Sequence, residues 1–297
     1  MPETALAPAL RVLLEHVVDY AGLFPPAGLS MHDAAMEYAA QRGSPHAWML
    51  GRFVVPVGRL DELVAEAPDG SRQGAWPLSV LVSADPEGDA RAIAAFNRAQ
   101  RDRFVVQSVE LPAASVEAIE WAMPLLDSAL ERYVEIPLAQ DPFPLVQALQ
   151  RHGARAKART GGLSADAFPS PELLARFISA CARLTVPFKV TAGLHHPVRG
   201  EQRLTYDAGS AHATMFGFLN VFVAAAFALA GADQATLAQL LDERDASAFA
   251  IERSSLRWRG RSLTDAQLEA SRRELAIGFG SCSFREPVAD LQQLGLL

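Results

Sequence analysis

A closed (β/α)8 barrel, the TIM barrel, is the fold class this sequence predicts, and three observations predict it. Short β-branched or apolar runs alternate with helical patterns along the chain, which marks parallel strands joined by crossover helices. Eight such runs follow one another at intervals of about 22–34 residues, close to the ~30 residues of a βαβ unit. Four consecutive runs end in ionisable residues, as expected where the C-terminal ends of neighbouring strands converge on one pocket. The 297 residues, 50% of them hydrophobic, suit one domain, because barrels of roughly 250 residues fold as a unit.

The strands fall near 17–22, 51–56, 78–83, 104–111, 132–137, 154–160, 186–192 and 216–221. The first, Val17-Val-Asp-Tyr, is short, but its Asp19 and Tyr20 precede Gly22 and a Pro25-Pro26 stop that leave them at a loop mouth, so Asp19 is expected to face the pocket. Helix starts are legible between the strands: a Ser cap at Ser30, and Pro in the first turn at Asp85-Pro86-Glu87 and Ser170-Pro171-Glu172. The most apolar run, Phe216 to Ala232, is at ~17 residues at the lower edge of a membrane span. It carries Gly217 and Asn220, and is read instead as the eighth strand running into a buried helix. Residues 232–297 then form a C-terminal helical extension packed on the barrel, with helices near 234–243 and 263–276 that cover one side or build a homodimer contact.

Composition narrows the function classes. A net charge of -7 and a pI near 5.5 exclude a basic nucleic-acid footprint and a polybasic membrane surface, leaving a small-molecule substrate as the expected partner. Met1-Pro-Glu-Thr offers no basic region ahead of an apolar core, so no secretory signal is read there. Cys181 and Cys282 supply neither a disulfide framework nor a zinc-finger spacing. The expected location is the cytoplasm.

The chemistry concentrates in Val105-Val-Gln-Ser-Val-Glu110, Tyr133-Val-Glu135, Ala156-Lys157-Ala-Arg159-Thr-Gly161-Gly162 and Phe188-Lys189-Val-Thr191. Side chains alternate faces along a strand, so Ser108 shares a face with Glu110, Tyr133 with Glu135, Lys157 with Arg159 and Lys189 with Thr191. The intervening Val109, Val134, Ile136, Phe188 and Val190 are apolar and face the helices, which puts the charges inside the barrel. Buried charges must be paired or shifted in pKa, and perturbed ionisable residues cluster at functional sites. A lysine between low-dielectric walls and beside a second cation has a depressed pKa, which frees its amine to form a Schiff base with a carbonyl. Lys157 and Lys189, on adjacent strands, are the expected pair.

Lys157-Ala-Arg-Thr-Gly161 and Phe188-Lys189-Val-Thr-Ala-Gly193 resemble the sixth- and seventh-strand motifs of the deoxyribose-phosphate aldolase type of class I aldolase. The resemblance covers about 15 residues. It implies a lyase in which Lys157 forms the imine and Lys189 tunes it. Two departures bear on the substrate: Ala-Gly-Leu-His195-His196 follows the seventh strand in place of paired small residues, and Phe216-Gly-Phe-Leu-Asn220 lacks a Gly-Ser-Ser-like anion loop. A phosphorylated substrate does not follow from the motifs.

Around the lysines, Glu110, Glu135 and His195 are expected to move protons, with His195 slightly ahead of His196. Arg159 can clamp a carboxylate by two parallel hydrogen bonds, and Gly161-Gly162 can expose backbone N–H groups to an anion. Thr191, His196, Asn220 and Asp19 complete the expected substrate contacts. No cofactor is expected on the imine reading. The alternative is a divalent metal ion on Glu110, Glu135 and His195, serving an enolisation. A third reading is a non-catalytic barrel that binds a ligand or partner. Ser281, Cys282 and Ser283 lie in no Gly-x-Ser-x-Gly elbow and are read as packing residues, while Tyr206 and Asp207 belong to a lid-like polar loop.

Overall fold

The computed structural model describes residues 6–68 and 73–297. The segment 1–4, read above for a signal, lies outside them. In chain order the elements are α1 (Pro8–Leu14), β1 (Val18–Tyr20), α2 (Met31–Arg42), β2 (Leu50–Pro56), α3 (Leu60–Glu66), β3 (Trp76–Leu81), α4 (Pro86–Gln100), β4 (Phe104–Pro112), α5 (Val116–Ala122), β5 (Glu131–Glu135), α6 (Pro142–Arg151), β6 (Arg155–Arg159), α7 (Pro171–Leu184) and β7 (Phe188–Thr191). There follow β8 (Gly200–Arg203), β9 (His212–Met215), α8 (Phe218–Leu229), α9 (Gln234–Leu241), β10 (Phe249–Ile251), β11 (Ser255–Trp258), β12 (Arg261–Thr264), α10 (Asp265–Glu274), β13 (Ala276–Ser281) and α11 (Arg285–Gln293).

Eight parallel strands close a barrel in the order β1-β13-β7-β6-β5-β4-β3-β2, so the (β/α)8 expectation holds. The first seven expected strands each overlap an observed one. The three helix starts are also as expected: Ser30 accepts from the Asp33 N–H, Asp85 from Gly88 and Ser170 from Leu173, each satisfying a donor that the first turn leaves open.

The eighth strand is elsewhere. Residues 216–221 do not form a barrel strand; Phe218 opens α8, and β13 closes the barrel between β1 and β7. An unbroken apolar run has no period to separate strand from helix, and the Ala224-Ala-Ala226 stretch favours helix. Helix α8 is apolar all round because it is covered on all sides, meeting α7, α9, α10 and β13. Residues 232–297 are therefore not a purely helical extension: they contain the three-stranded sheet β10-β11-β12 and the closing strand itself. Gly278 and Gly280 disguise β13, since glycine is a poor strand former. Gly280 is required by its neighbour: a Cβ there would lie 2.8 Å from Thr191 Oγ1 on β7. Phe279, on the same strand, is fully buried and stacks on Phe218 at 5.3 Å, which joins the barrel wall to α8. Burying one such ring stabilises the fold by roughly 1.5–3 kcal/mol.

The antiparallel pair β8-β9 and the bends between them stand over the C-terminal mouth of the barrel, after a sharp exit from β7 in which Ala192 and Gly193 both have left-handed φ, 64° and 67°. Glycine is needed at 193 because a Cβ would sit 2.6 Å from the Phe168 ring. Among the described residues, no helix is long and apolar enough to cross a membrane.

Candidate active site

The barrel interior carries a continuous ladder of alternating charge. Lys189 Nζ, 1% exposed as a residue, donates to Asp19 Oδ2 at 2.6 Å and Glu110 Oε1 at 2.5 Å. Lys157 Nζ lies 2.7 Å from Glu110 Oε2 and 2.9 Å from Glu135 Oε2. Arg159 extends the ladder, its Nε 2.9 Å from Glu135 Oε1. The register explains the assembly: Glu135 is level with Lys157 and Lys157 with Lys189 on the three neighbouring strands β5, β6 and β7. Glu110 is the hub, and Ser79 donates to its Oε1 at 2.6 Å, itself receiving the Ser108 hydroxyl at 2.8 Å. Beneath, the Tyr133 ring faces Lys189 Nζ at 5.1 Å, a distance at which the ring face attracts the ammonium.

These contacts fix protonation. Burial opposes ionisation of Glu110, but Lys189 and Lys157 outweigh it and hold its carboxyl well below the usual carboxylate range. Glu135 is likewise lowered, against its burial, by Lys157 and Arg159. For Lys189 burial favours the neutral amine, yet Asp19 and Glu110 prevail and its pKa is raised. The expectation that the paired lysines depress one another is thus reversed at Lys189. A carboxylate stands between the two cations.

A cavity of about 700 Å³ opens above the ladder. Lys157, Lys189, Glu110, Arg159, Gly162, Thr191, His195 and His196 line it, so most of the expected site comes together. Asp19 and Glu135 reach it through the lysines they hold. Gly161 serves close packing instead: a Cβ there would lie 2.5 Å from the Phe168 ring and 3.0 Å from the Gly193 Cα. Asn220 is displaced altogether. On the first turn of α8 and fully buried, its Oδ1 accepts from the Arg199 N–H and its Nδ2 donates to the Leu240 and Glu243 carbonyls. Asn220→Ala is expected to lower stability by roughly 2–4 kcal/mol, because buried backbone groups lose their partners, while ligand binding in the cavity is unchanged. Chemical denaturation and a binding titration on one sample check both halves.

His195 Nδ1 pairs with Glu286 Oε2 at 2.9 Å, and His196 Nδ1 with Asp290 Oδ2 at 2.6 Å, both carboxylates being on α11. Burial lowers the His195 pKa, but Cys282 and Glu286 outweigh it and raise it to about 10. The metal-ligand set of Glu110, Glu135 and His195 is not assembled: both carboxylates contact Lys157, His195 contacts Glu286, and no group of three or more His, Cys, Asp or Glu side chains among the described residues could hold a metal ion.

Sequence reasoning missed Cys282, Glu286 and Tyr206 as parts of the site. Cys282, read as packing, lines the cavity with its Sγ 3.9 Å from His195 Nε2. Tyr206 OH donates to Glu286 Oε2 at 3.1 Å and lies 3.6 Å from Cys282 Sγ. The signal was present but misplaced: had β13 been recognised, Cys282 would have stood just past a barrel strand end, where reactive residues gather. The chain matches no protein-family model and no curated protein.

Proposed function

We propose that this barrel is an enzyme of the lyase type, resembling class I aldolases, which makes or breaks a C–C bond next to the carbonyl of a small polar substrate through an imine on Lys157. One observation carries the reading: Lys157 and Lys189, level on adjacent strands, share Glu110 at the floor of the cavity. A paired network with no space above it would be a structural device. Here about 700 Å³ lies over it.

The amine of Lys157 becomes nucleophilic when its ammonium proton passes to Glu135, the more accessible of its two carboxylate partners at 2.9 Å. The nitrogen lone pair then forms the N–C bond with the substrate carbonyl carbon. The oxygen takes one proton from the attacking nitrogen and the other back from Glu135 and leaves as water, giving a protonated imine that accepts the electron pair of the bond being cleaved. Lys189, held cationic by Asp19 and Glu110, keeps positive charge beside the developing electron-rich intermediate. Arg159 and Arg203, both on the cavity wall, suit an anionic or hydroxylated substrate end. Phe24, Pro25, Pro26 and Val54 give the cavity an apolar side, which shields the imine from water.

The test uses glycolaldehyde, hydroxyacetone and pyruvate as carbonyl probes with cyanoborohydride, followed by peptide mass mapping. A reduced adduct on Lys157, formed faster than on surface lysines, is the expected result. Labelling of surface lysines alone would sink the imine reading.

A further inference from the structure

Cys282, His195, Glu286 and Tyr206 form a second cluster of reactive groups that the imine chemistry leaves unused. Cys282 follows the end of β13, His195 lies beyond β7, Glu286 belongs to α11, and Tyr206 descends from the bends between β8 and β9. Four separate parts of the chain meet on one wall of the cavity. Their order is that of a nucleophile, a base and the group that orients the base: Cys282 Sγ to His195 Nε2 at 3.9 Å, and His195 Nδ1 to Glu286 Oε2 at 2.9 Å. The sulfur contact is long, as such contacts often are before a ligand binds.

We propose that Cys282 is a second nucleophile of this cavity, activated by His195 and Glu286, which adds reversibly to the carbonyl carbon of a small aldehyde. In that step the Sγ–H proton passes to His195 Nε2 and sulfur donates an electron pair to form the S–C bond. The C=O π pair moves onto oxygen, and His195 returns the proton to it, giving a thiohemiacetal. Atoms and charge balance with no further reactant. Tyr206 OH, 3.6 Å from Sγ, is close enough to hydrogen-bond the new hydroxyl. The carbonyl class follows from this donor beside the sulfur. The proposal stands independently of an imine on Lys157.

The groups facing His195 are Glu286 from α11, Cys282 and Ser281 from the end of β13, and the neighbouring His196, whose own partner is Asp290. Tyr206 reaches the same cluster through Glu286 and Cys282. Burial lowers the pKa of His195, but Cys282 and Glu286 on its two nitrogens outweigh it and raise it to about 10, which makes Nε2 a stronger acceptor for the Sγ–H proton than a free imidazole.

Alkylation by iodoacetamide, mapped by peptide mass spectrometry, reads this directly. In the native protein at pH 6, Cys282 is expected to react at least tenfold faster than in the urea-unfolded chain, with Cys181, fully buried, as the internal control. Millimolar glycolaldehyde should slow this alkylation at least fivefold, and should still do so in Lys157→Met, because the protection is on sulfur and not on the lysine. His195→Asn should return the rate profile to that of an ordinary thiol, and Glu286→Gln should shift it part of the way. Native Cys282 reacting at pH 6 no faster than in the unfolded chain, or protection that disappears in Lys157→Met, overturns the proposal. Wild-type protein alone decides the first criterion even where a variant fails to fold.

Discussion

Replacing Lys189 with methionine is expected to lower the unfolding free energy by about 3–5 kcal/mol, since removing one partner of a buried ion pair strands the other charge. Two carboxylates lose a partner here, because Lys189 holds both Asp19 and Glu110. Lys157 still neutralises Glu110 in the variant, and the Arg52 N–H still donates to Asp19 at 2.8 Å. Adding Glu110→Gln should therefore cost less than the sum of the two single changes, a coupling of roughly 0.5–3 kcal/mol that a double-mutant cycle in urea would measure. Additive costs would mean that the pair does not act as a unit. The pH dependence has two edges. Glu110 and Glu135 are depressed in the fold, so their contribution is present above the unfolded carboxylate pKa and is lost as pH falls through the lower folded values. Lys189 is raised, so its contribution is complete below the unfolded lysine pKa and is lost as pH rises through the higher folded value. Wild-type stability should be broad across neutral pH and fall at both extremes, and Lys189→Met should lose the alkaline part of the dependence due to this group.

Lys157→Met should abolish the cyanoborohydride-dependent adduct and, once a substrate is known, slow turnover by on the order of 10³-fold or more, as expected on removal of a covalent nucleophile. Its structural cost should be smaller than that of Lys189→Met. Glu110 keeps Lys189 and Ser79, and Glu135 keeps Arg159 on a partly exposed rim. Lys157→Arg preserves charge but supplies no amine nucleophile, so it should restore stability without restoring the adduct. An adduct that persists in Lys157→Met and maps to Lys189 would exchange the roles of the two lysines.

The sequence shows the barrel and its charged mouth because both rest on short-range regularities. Strand alternation places Glu110, Glu135, Lys157 and Lys189 on inward faces, and parallel neighbours in consecutive order bring Glu135, Lys157 and Lys189 level, with Glu110 one step below beside Tyr133. Contacts set by topology were not legible. Asp19 meets Lys189 only because β13 alone stands between β1 and β7, and a strand with two glycines gives little local signal. Misplacing that strand also put Asn220 in the pocket and hid Cys282. The direction of the Lys189 shift had the same origin: a spacing of lysines on adjacent strands suggests repulsion, whereas the strand three positions round the barrel supplies the carboxylate between them.

The insertion between β7 and β13 has a consequence for how the chain is made. Strands β1 to β7 are complete by Thr191, but β13 begins only at Ala276. During synthesis, Val18–Tyr20 and Phe188–Thr191 offer unpaired edges until residues 192–275 have emerged, and exposed edges are templates for pairing with other chains. Closure then joins Val18 to Phe279 across almost the whole length of the chain, a non-local contact of the kind that slows folding. The last of the eight barrel strands to be made is the one that closes the ring.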